Sequence, residues 1–373
     1  MRILMIARLF YPEIGGIQTY SYELAKQLTR QGHEVCVLCP PAEGDLEFDR
    51  QQPFKIIRGK WTRIKWLKTI FYIGHYLKII HQWHPDIAFG TIWAPCGVVA
   101  WIGKMLAGIP YILAFHGTEI TLWQKHWITR QLMRLVIQQS MFSLAVSHFT
   151  AAKVLAIGGP HPVHVIPCGV DLERFKGIPQ NEKNSGPNVL LSLGALVPRK
   201  GFDMVIRALP EVLRARQDFV YRIAGSGSDL ERLKALVDEH QLNDYVKFAG
   251  RIPSQNIPEE FEKCHLFIMP SRDIQGDFEG FGIVFLEANA SGKVVIAGNS
   301  GGIPDVVRHE KTGLLVDPEN PSAIAGAILR LLEDDVLRTR METEARNHAL
   351  AFTWEKSASL LNQLLNKSTD SPT

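Results

Sequence analysis

The segment Ser271-Arg-Asp-Ile-Gln-Gly-Asp-Phe-Glu-Gly-Phe-Gly-Ile-Val-Phe-Leu-Glu-Ala-Asn-Ala-Ser-Gly-Lys293 says more about the architecture than any other part of the chain. The apolar run His265-Leu-Phe-Ile-Met269 before it predicts a strand. A helix is predicted from near Gly282 to Ser291-Gly292, because glycine can adopt the left-handed conformation that ends helices. A strand, a glycine-containing loop and a helix N-terminus in this order predict an anion site. A diphosphate is its most natural ligand.

Two carboxylates flank this predicted anion site. Glu287 lies on the predicted helix, where it could accept hydrogen bonds from a ribose diol. Glu279 lies in the loop, nearer its apex, where it could meet a sugar hydroxyl. For an isolated pair of glutamates, two solvent-exposed side chains are the alternative interpretation.

Length and composition predict a two-domain globular enzyme. The chain has 373 residues, of which 46% are hydrophobic and 21% charged,. The net charge of +3 is unevenly spread: residues 1–168 hold 17 Lys and Arg against 9 Asp and Glu, and the remainder holds 24 against 29. The basic first half predicts a first domain that faces an anionic surface or acceptor.

The cysteines predict a reducing compartment, because five is a low and odd number,. Cys36 and Cys39 fall inside one predicted strand, which favours buried strand residues over a redox or metal pair. Residues 94–115 are apolar but are divided by Gly108 and Pro110 into a helix and a strand, so no membrane span is predicted. We therefore expect a cytoplasmic protein.

Predicted strands alternate with predicted helices along the whole chain. In the first half the strands fall near residues 2–7, 34–39, 54–58, 86–90, 110–115, 141–146 and 163–167. In the second half they fall near residues 188–193, 219–224, 246–249, 265–269, 294–297 and 313–316. Continuous apolar strands separated by helices indicate parallel sheets covered on both faces. The pattern predicts an α/β protein with two doubly wound halves, joined by a linker at about residues 168–186.

Residues 55–84 combine cations with aromatic and aliphatic side chains. They contain Lys55, Arg58, Lys60, Arg63, Lys65, Lys68 and Lys78, interleaved with Trp61, Trp66 and Trp83. Two interpretations remain open. An interfacial helix would contact an anionic membrane and present a lipid-linked acceptor. An ordinary helix would only expose its charged face to solvent. The charge alone also fits nucleic acid, but nothing else supports such a partner.

Three further loops carry glycine or charged residues at predicted strand ends. Gly15-Gly16 follows the first strand and allows close backbone approach to a ligand, although it is not a dinucleotide fingerprint. His116 follows an apolar strand, where open α/β sheets bind ligands, or it is a structural histidine. Arg199 and Lys200 precede a predicted helix, where they could neutralise a diphosphate, or they form a simple surface pair.

The order Glu279-Gly-Phe-Gly-Ile-Val-Phe-Leu-Glu287 resembles the E-x7-E motif of the GT4 family of retaining glycosyltransferases (glycosyl transferases group 1). The runs His116-Gly-Thr-Glu119 and Gly194-Ala-Leu-Val-Pro-Arg-Lys-Gly201 resemble two further motifs of that family. The resemblance covers nearly the whole chain. It implies the GT-B fold, with two doubly wound Rossmann-like domains facing a cleft. Residues 1–170 would bind the acceptor, with helix 353–368 packing back on them, and residues 171–352 would bind the nucleotide-sugar donor.

The resemblance also implies roles for individual residues. His116 and Glu279 are the implied catalytic residues, and Glu119 lies on the acceptor side. The implied donor-binding residues are Gly15, Gly16, Arg199, Lys200, Gly225, Arg251, Ile252, Glu279, Gly280, Phe281, Gly282, Ile283, Val284 and Glu287. The chain departs from the family pattern at Ala195, where the family has Arg, and at Cys168, where it has Asn.

The implied reaction is retaining transfer of a hexose from a nucleotide sugar to a saccharide or lipid-linked acceptor, in surface polysaccharide or glycolipid synthesis. A UDP-sugar such as UDP-glucose is favoured, with no cofactor and no metal. GDP-mannose-dependent mannosyl transfer is the first alternative. A non-catalytic nucleotide-sugar-binding homologue is another, since Ala195 removes a family cation, and a sugar-nucleotide epimerase of the same fold is a third. A cytoplasmic location, peripheral on the membrane face, follows from these expectations.

Overall fold

The computed structural model describes residues 1–59, 65–124, 126–175 and 186–369. The chain forms two compact units. The first contains Met1–Gly169 and Trp354–Thr373, and the second contains Val170–Thr353. Each unit is built on its own parallel sheet.

The first unit holds a seven-stranded sheet in the order β3-β2-β1-β4-β5-β6-β7. Its strands are β1 (Arg2–Ile6), β2 (Glu34–Cys39), β3 (Lys55–Arg58), β4 (Ile87–Gly90), β5 (Tyr111–Phe115), β6 (Ser143–Ala145) and β7 (Val163–Val165). All neighbouring pairs run parallel. The strand order reverses between β1 and β4, and ligands of such sheets bind at the carboxyl ends of the strands that flank this point.

Seven α-helices, counted over the described residues, lie between β1 and β7. They are α1 (Gly16–Arg30), α2 (Asp45–Arg50), α3 (Lys65–Trp83), α4 (Val98–Ala107), α5 (Thr118–Gln124), α6 (Trp127–Gln139) and α7 (His148–Gly158). Strands β1, β2, β4, β5 and β6 are buried almost throughout, which is why they form continuous apolar runs in the sequence,. The edge strands β3 and β7 are partly exposed.

The second unit holds a six-stranded parallel sheet in the order β10-β9-β8-β11-β12-β13. Its strands are β8 (Asn188–Leu193), β9 (Phe219–Ala224), β10 (Val246–Gly250), β11 (Leu266–Met269), β12 (Val294–Gly298) and β13 (Gly313–Val316). The order reverses between β8 and β11. The carboxyl ends of these two strands are therefore the expected ligand position of the second unit.

The helices of the second unit are α8 (Phe202–Ala215), α9 (Leu230–Glu239), α10 (Ile257–Lys263), α11 (Ile283–Ala290), α12 (Pro321–Glu333) and α13 (Asp335–Ala349). The last helix, α14 (Trp354–Thr369), belongs to the first unit. It lies against α1: Gln31 Nε2 donates to Ser359 Oγ at 3.1 Å, and His33 Nε2 lies 3.0 Å from Asn362 Oδ1.

The predicted α/β architecture is confirmed in its strands. All thirteen predicted strands are present, and their ends differ from the prediction by two residues at most. The apolar run at residues 94–115 is divided as expected, because Gly108 adopts φ +70° and ends α4 before β5 begins. Cys36 and Cys39 are buried in β2. Burial raises the pKa of the Cys39 thiol to about 12, so the thiol stays protonated at neutral pH. Cys39 is therefore a buried strand residue.

Only part of the basic segment 55–84 can be compared with the structure, because residues 60–64 and the side chains of 65–72 lie outside the described residues. The second half of α3 packs into the core through Tyr76, Ile79 and Ile80. No helix in the described ranges is long and apolar enough to cross a membrane.

The structure corrects the role of one cation of that segment. Arg58 forms a two-point ion pair with Asp49, with nitrogen–oxygen distances of 2.7 and 3.0 Å. It also donates to the carbonyl oxygens of Pro40 and Tyr11 at 2.9 and 2.7 Å. Arg58 is therefore an internal support of the loop after β1, and it is not available to a membrane.

Candidate active site

Two loops of the second unit meet where its strand order reverses. One follows β8 and ends in a 3₁₀ turn, Pro198–Lys200. The other runs from Ser271 at the end of β11 to Gly282 before α11. The backbone N–H of Arg272 donates to the carbonyl oxygen of Arg199 at 2.8 Å, so the two loops are joined directly.

A cluster of ion pairs lies between these loops. One carboxylate oxygen of Glu279 lies 2.7 Å from Arg199 Nη1 and 2.5 Å from Lys200 Nζ. Arg199 Nε also lies 3.1 Å from Asp277 Oδ1. Burial alone would raise the pKa of Glu279, but the charges of Lys200 and Arg199 lower it to about 2. The sequence left open whether Arg199 and Lys200 form a surface pair. The structure instead brings both onto a candidate catalytic carboxylate.

A second charge network holds the loop after β11 in place. Arg272 donates to both carboxylate oxygens of Asp203, at 2.8 and 3.1 Å. Asp203 is buried in the first turn of α8 and also lies 3.3 Å from Arg232. Arg232 in turn pairs with buried Asp229 at 2.6 Å. Because these charges satisfy one another, the network fixes the backbone of the loop that carries Glu279.

The N-terminus of α11 faces this region without a side-chain cap. Its first N–H groups, from Ile283 and Val284, have no partner within the helix and can bind an anion. Gly282 precedes them with φ +88°, a conformation that glycine adopts at low cost,. Phe281 is buried against Phe352, with ring centroids 6.2 Å apart, so only its backbone can contact a ligand. Gly280, the remaining candidate of this loop, is also buried.

The carboxylate of Glu287 is placed to accept hydrogen bonds from a ligand. It lies half-buried on α11, and its carboxylate makes no hydrogen bond or close ion pair with any described residue. Burial raises its pKa to about 7, while the charge of Arg174 opposes the shift. A sugar diol would supply the missing donors.

The remaining candidates of the second unit lie at the same edge of the sheet. Gly225 directly follows β9, and its N–H donates to the carbonyl oxygen of Gly250 at 2.7 Å. A Cβ atom at Gly225 would lie 1.8 Å from the carbonyl oxygen of Gly194, so this position accepts only glycine. Arg251 and Ile252 follow β10 directly, with Arg251 exposed. Across the described residues, no three His, Cys, Asp or Glu side chains are grouped closely enough to hold a metal ion.

In the first unit, Gly15 and Gly16 lie at the N-terminus of α1, which no side chain caps. The loop before them is fixed by Tyr11, whose ring stacks on Tyr22 at 4.6 Å and whose hydroxyl lies 3.0 Å from Thr19 Oγ1. The loop therefore presents free backbone N–H groups from a rigid base.

His116 lies half-buried just after β5. Its Nε2 lies 2.9 Å from the carbonyl oxygen of Thr91, and since a carbonyl only accepts, Nε2 carries the proton,. Burial lowers the pKa of His116, while the charge of Glu119 opposes this, so the ring is neutral at pH 7 with Nδ1 as a free acceptor. Glu119 accepts the backbone N–H of His116 and thereby holds the turn. The ring of Tyr20 packs edge-on against His116 at 4.9 Å.

Several residues of these two sites were not found from the sequence. Tyr20 lies on α1, far from His116 in the chain, and Asp277 and Arg174 were given no role. Arg272 lies within the segment 271–293, but its pairing with Asp203 was not predicted. Asp277 lies two residues before Glu279, so a local carboxylate pair was a signal that could have been followed. The partners of Tyr20 and Arg174 are set by packing between distant elements, which a single sequence does not reveal.

Two Rossmann-like units, with cations, a carboxylate and an open helix N-terminus at the switch point of the second, define a GT-B glycosyltransferase. Comparison with known families agrees. Residues 14–174 match the model "Glycosyltransferase Family 4", and residues 173–348 match "Glycosyl transferases group 1". The chain belongs to the GT4 family of group 1 glycosyltransferases.

Curated relatives match over the full length. The chain is 31% identical to the "GDP-mannose-dependent alpha-(1-6)-phosphatidylinositol monomannoside mannosyltransferase" of Mycobacterium tuberculosis, covering 98% of both chains. It is 30% identical to the "GDP-mannose-dependent monoacylated alpha-(1-6)-phosphatidylinositol monomannoside mannosyltransferase" of Corynebacterium glutamicum, over 98% of this chain and 97% of that one. Among solved structures, sucrose-phosphate synthase from Thermosynechococcus elongatus matches with a TM-score of 0.85 at 21% identity, over 98% of both chains. At 21% identity, the similarity to sucrose-phosphate synthase shows the fold alone.

Proposed function

We propose that this glycosyltransferase transfers mannose, with retention at the anomeric carbon, from GDP-mannose to a lipid-linked acceptor. One observation carries the choice of donor: relatives about 30% identical over essentially the whole chain are named as GDP-mannose-dependent mannosyltransferases acting on a phosphatidylinositol mannoside. These relatives favour GDP-mannose, the first alternative of the sequence analysis, over the expected UDP-glucose.

The site geometry supports a reaction in which a diphosphate leaves. Negative charge builds up on the departing phosphate, and fixed donors aimed at it lower the barrier. Lys200 and Arg199 would supply charge, and each keeps N–H groups that Glu279 and Asp277 do not use,. The first N–H groups of α11 would add the helix dipole. Charge neutralisation by the protein alone makes a metal-independent reaction our proposal.

Two side chains are proposed to act on the sugar. Glu279, ionised and held by its two cations, would accept a hydrogen bond from a sugar hydroxyl. His116, neutral with Nδ1 open, would accept a hydrogen bond from the transferred sugar near the reaction centre. Glu287 would accept the ribose diol. Glu119 is proposed to contribute by holding the backbone of His116.

The proposed acceptor also has a consequence for where the enzyme works. A lipid-linked acceptor requires the enzyme to work at a bilayer, and we propose a peripheral position on the cytoplasmic face. The described cations of residues 55–84 that remain for an anionic membrane are Lys55 and Lys78, both exposed. Flotation with anionic vesicles at low salt tests this contact, and protein that stays at the bottom would contradict it.

The donor is tested by comparing GDP-, UDP- and ADP-sugars in thermal unfolding and in turnover. We expect GDP and GDP-mannose to stabilise the protein by about 2.7 kcal/mol at 100 times Kd, while UDP and ADP do much less. Transfer to a phosphatidylinositol mannoside should occur only with GDP-mannose. Preferential stabilisation by UDP, with turnover of UDP-glucose, would contradict the proposal and restore the first expectation.

The same assay separates a non-catalytic homologue. Ala195 lacks the cation that the family pattern has there, but Arg199 lies in the same loop and points its charge at Glu279. We therefore expect turnover above background. Tight GDP-mannose binding without transfer or hydrolysis would assign the chain to nucleotide-sugar binding alone. An epimerised sugar formed from the donor without any acceptor would assign it to epimerisation.

A further inference from the structure

The outward side of α6 carries apolar residues where a helix on a protein surface normally carries polar ones. Trp127 is 74% exposed and Ile128 63% exposed. Leu135, seven residues after Ile128 and thus on the same side of the helix, is 40% exposed,. The opposite side is anchored in the core through Met133, Val136 and Ile137.

A further exposed apolar residue lies next to α6 and packs against a buried side chain. Trp123, at the end of α5, is 40% exposed and packs edge-on against buried Trp93 with ring centroids 5.5 Å apart. The hydroxyl of Thr129 donates to the carbonyl oxygen of Trp123 at 2.5 Å, which ties the two helices together. The exposed ring of Trp123 is therefore held in place.

A third helix end lies beside the C-terminus of α6. Lys104 Nζ donates to the carbonyl oxygen of Gln139 at 2.6 Å, which brings the end of α4 to the end of α6. Met105 and Leu106, the next two residues of α4, are exposed. Apolar side chains from three helices are thus presented on the surface of one unit.

Cations accompany these apolar side chains. Arg130 and Arg134 follow Trp127 by three and seven residues, so they lie beside its ring on the outer side of α6. Both are exposed, and neither pairs with a carboxylate of the described residues. The sequence contains no Asp or Glu at all from residue 120 to residue 170. The segment of chain that carries Trp123 and α6 therefore contributes positive charge and no carboxylate side chain.

This composition matches one kind of partner. Tryptophan is favoured at the headgroup level of a bilayer, aliphatic side chains just beneath it, and arginine next to lipid phosphates. Each cation near an anionic bilayer adds attraction. We propose that Trp123, Trp127, Ile128 and Leu135, with Arg130 and Arg134, form a docking surface for anionic membranes. We call it the α6 surface. Its residues are distinct from those of segment 55–84, and the proposal does not depend on which sugar is transferred.

The test is partitioning of the full-length chain onto vesicles. We expect binding to vesicles of phosphatidylglycerol and phosphatidylcholine, weaker at high salt, and little binding to phosphatidylcholine alone. The double variant Trp127→Gln/Ile128→Gln should lower the partition coefficient at least about tenfold. Arg130→Glu/Arg134→Glu should do the same and remove most of the salt dependence.

Matched controls come from the second unit. Val336 and Leu350 are exposed apolar residues there, and Arg207 and Arg214 are exposed cations of α8. Val336→Gln/Leu350→Gln and Arg207→Glu/Arg214→Glu should leave partitioning within about twofold of the wild type, since these changes lie outside the α6 surface. Unchanged thermal unfolding and GDP binding in all variants would show that the fold and the nucleotide site are intact, so failure of the proposed donor would be seen separately.

Three results would overturn the proposal. The first is partitioning that Trp127→Gln/Ile128→Gln leaves unchanged. The second is partitioning that is lost only in Lys65→Glu/Lys68→Glu, which would assign the membrane contact to residues 55–84. The third is a wild-type protein that does not bind vesicles but self-associates through Trp127, which would assign this surface to a second copy of the chain.

Discussion

At the scale of single residues, Glu279 is the best-defined group of the candidate site. Its carboxylate contacts two cations from the neighbouring loop, and their charge outweighs the effect of burial on its pKa. A solvent-exposed loop glutamate would show neither feature. The sequence motif placed Glu279 in the site, but its direct pairing with Arg199 and Lys200 could be seen only in the structure.

Replacing Glu279 should separate catalysis from binding. We expect Glu279→Ala to lower kcat by about 10²–10³, because a fixed electrostatic contact to the sugar is lost. It should also lower the free energy of unfolding by about 1–3 kcal/mol, because Lys200 and Arg199 lose a buried partner. Steady-state kinetics and urea unfolding measure the two effects.

Asp277→Asn is the matched control for this variant, since Asp277 also pairs with Arg199 but is much more exposed. Its unfolding free energy should change by less than about 1 kcal/mol. Wild-type turnover in Glu279→Ala would remove Glu279 from the active site.

Glu287 predicts a pH dependence of donor binding. Its pKa is raised from the usual 4.5 to about 7, so the free protein gains the carboxylate only near neutrality. If the ionised form binds the ribose diol, KM for the donor should fall as the pH rises from 6 to 8. Glu287→Gln should weaken binding and remove this dependence. A wild-type KM that does not change across this range would contradict the assignment.

The same two carboxylates predict opposite trends in stability. The raised pKa of Glu287 means that its contribution to stability is complete below pH 4.5 and is lost as the pH rises through about 7,. The lowered pKa of Glu279 means that its contribution is present above pH 4.5 and is lost as the pH falls towards 2,. In urea unfolding without nucleotide, Glu287→Gln should therefore flatten the decline between pH 5 and 8, and an unchanged slope would contradict this.

At the scale of elements, the strands were predictable and several contacts were not. Continuous apolar runs such as 34–39 and 294–297 mark buried parallel strands, and they recur with helices between them. Gly292 at φ +71° ends α11 close to where the sequence predicted. Arg58 was assigned wrongly to an exposed basic segment because its partner, Asp49, lies on another element. Local pattern carries no information about such a pairing.

The turn into α11 is predicted to depend on glycine. Gly282 has φ +88°, and a Cβ atom there would lie 2.5 Å from a ring carbon of Phe285. Gly282→Ala should therefore cost about 1–2 kcal/mol of unfolding free energy and weaken nucleotide binding, because the helix N-terminus would shift. Gly326→Ala is the control, since it lies in the middle of α12 with no atom within 4 Å of the added methyl group. It should stabilise by about 0.5–1 kcal/mol. Equal stability of the two variants would contradict a special role for the turn.

At the scale of the whole molecule, topology explains why distant motifs belong together. The loops after β8, β9, β10 and β11 all emerge at the carboxyl edge of one parallel sheet, so residues far apart in sequence share a ligand-binding edge,. The alternation of strands and helices in the sequence predicted a parallel sheet, and the structure adds the order of its strands. The sequence could not predict the nucleobase. The family resemblance implies that Arg251 and Ile252 lie beside the base through their backbone atoms, which are the same in every residue. Only the full-length relatives favour GDP-mannose over UDP-glucose.

The most direct measurement is the crystal structure of the complex with GDP. We predict a diphosphate oxygen about 2.7–3.2 Å from Lys200 Nζ and from the first N–H groups of α11, with the ribose hydroxyls on Glu287. A nucleotide bound elsewhere, or a diphosphate kept away from Lys200 while Glu279 retains both cations, would contradict the account.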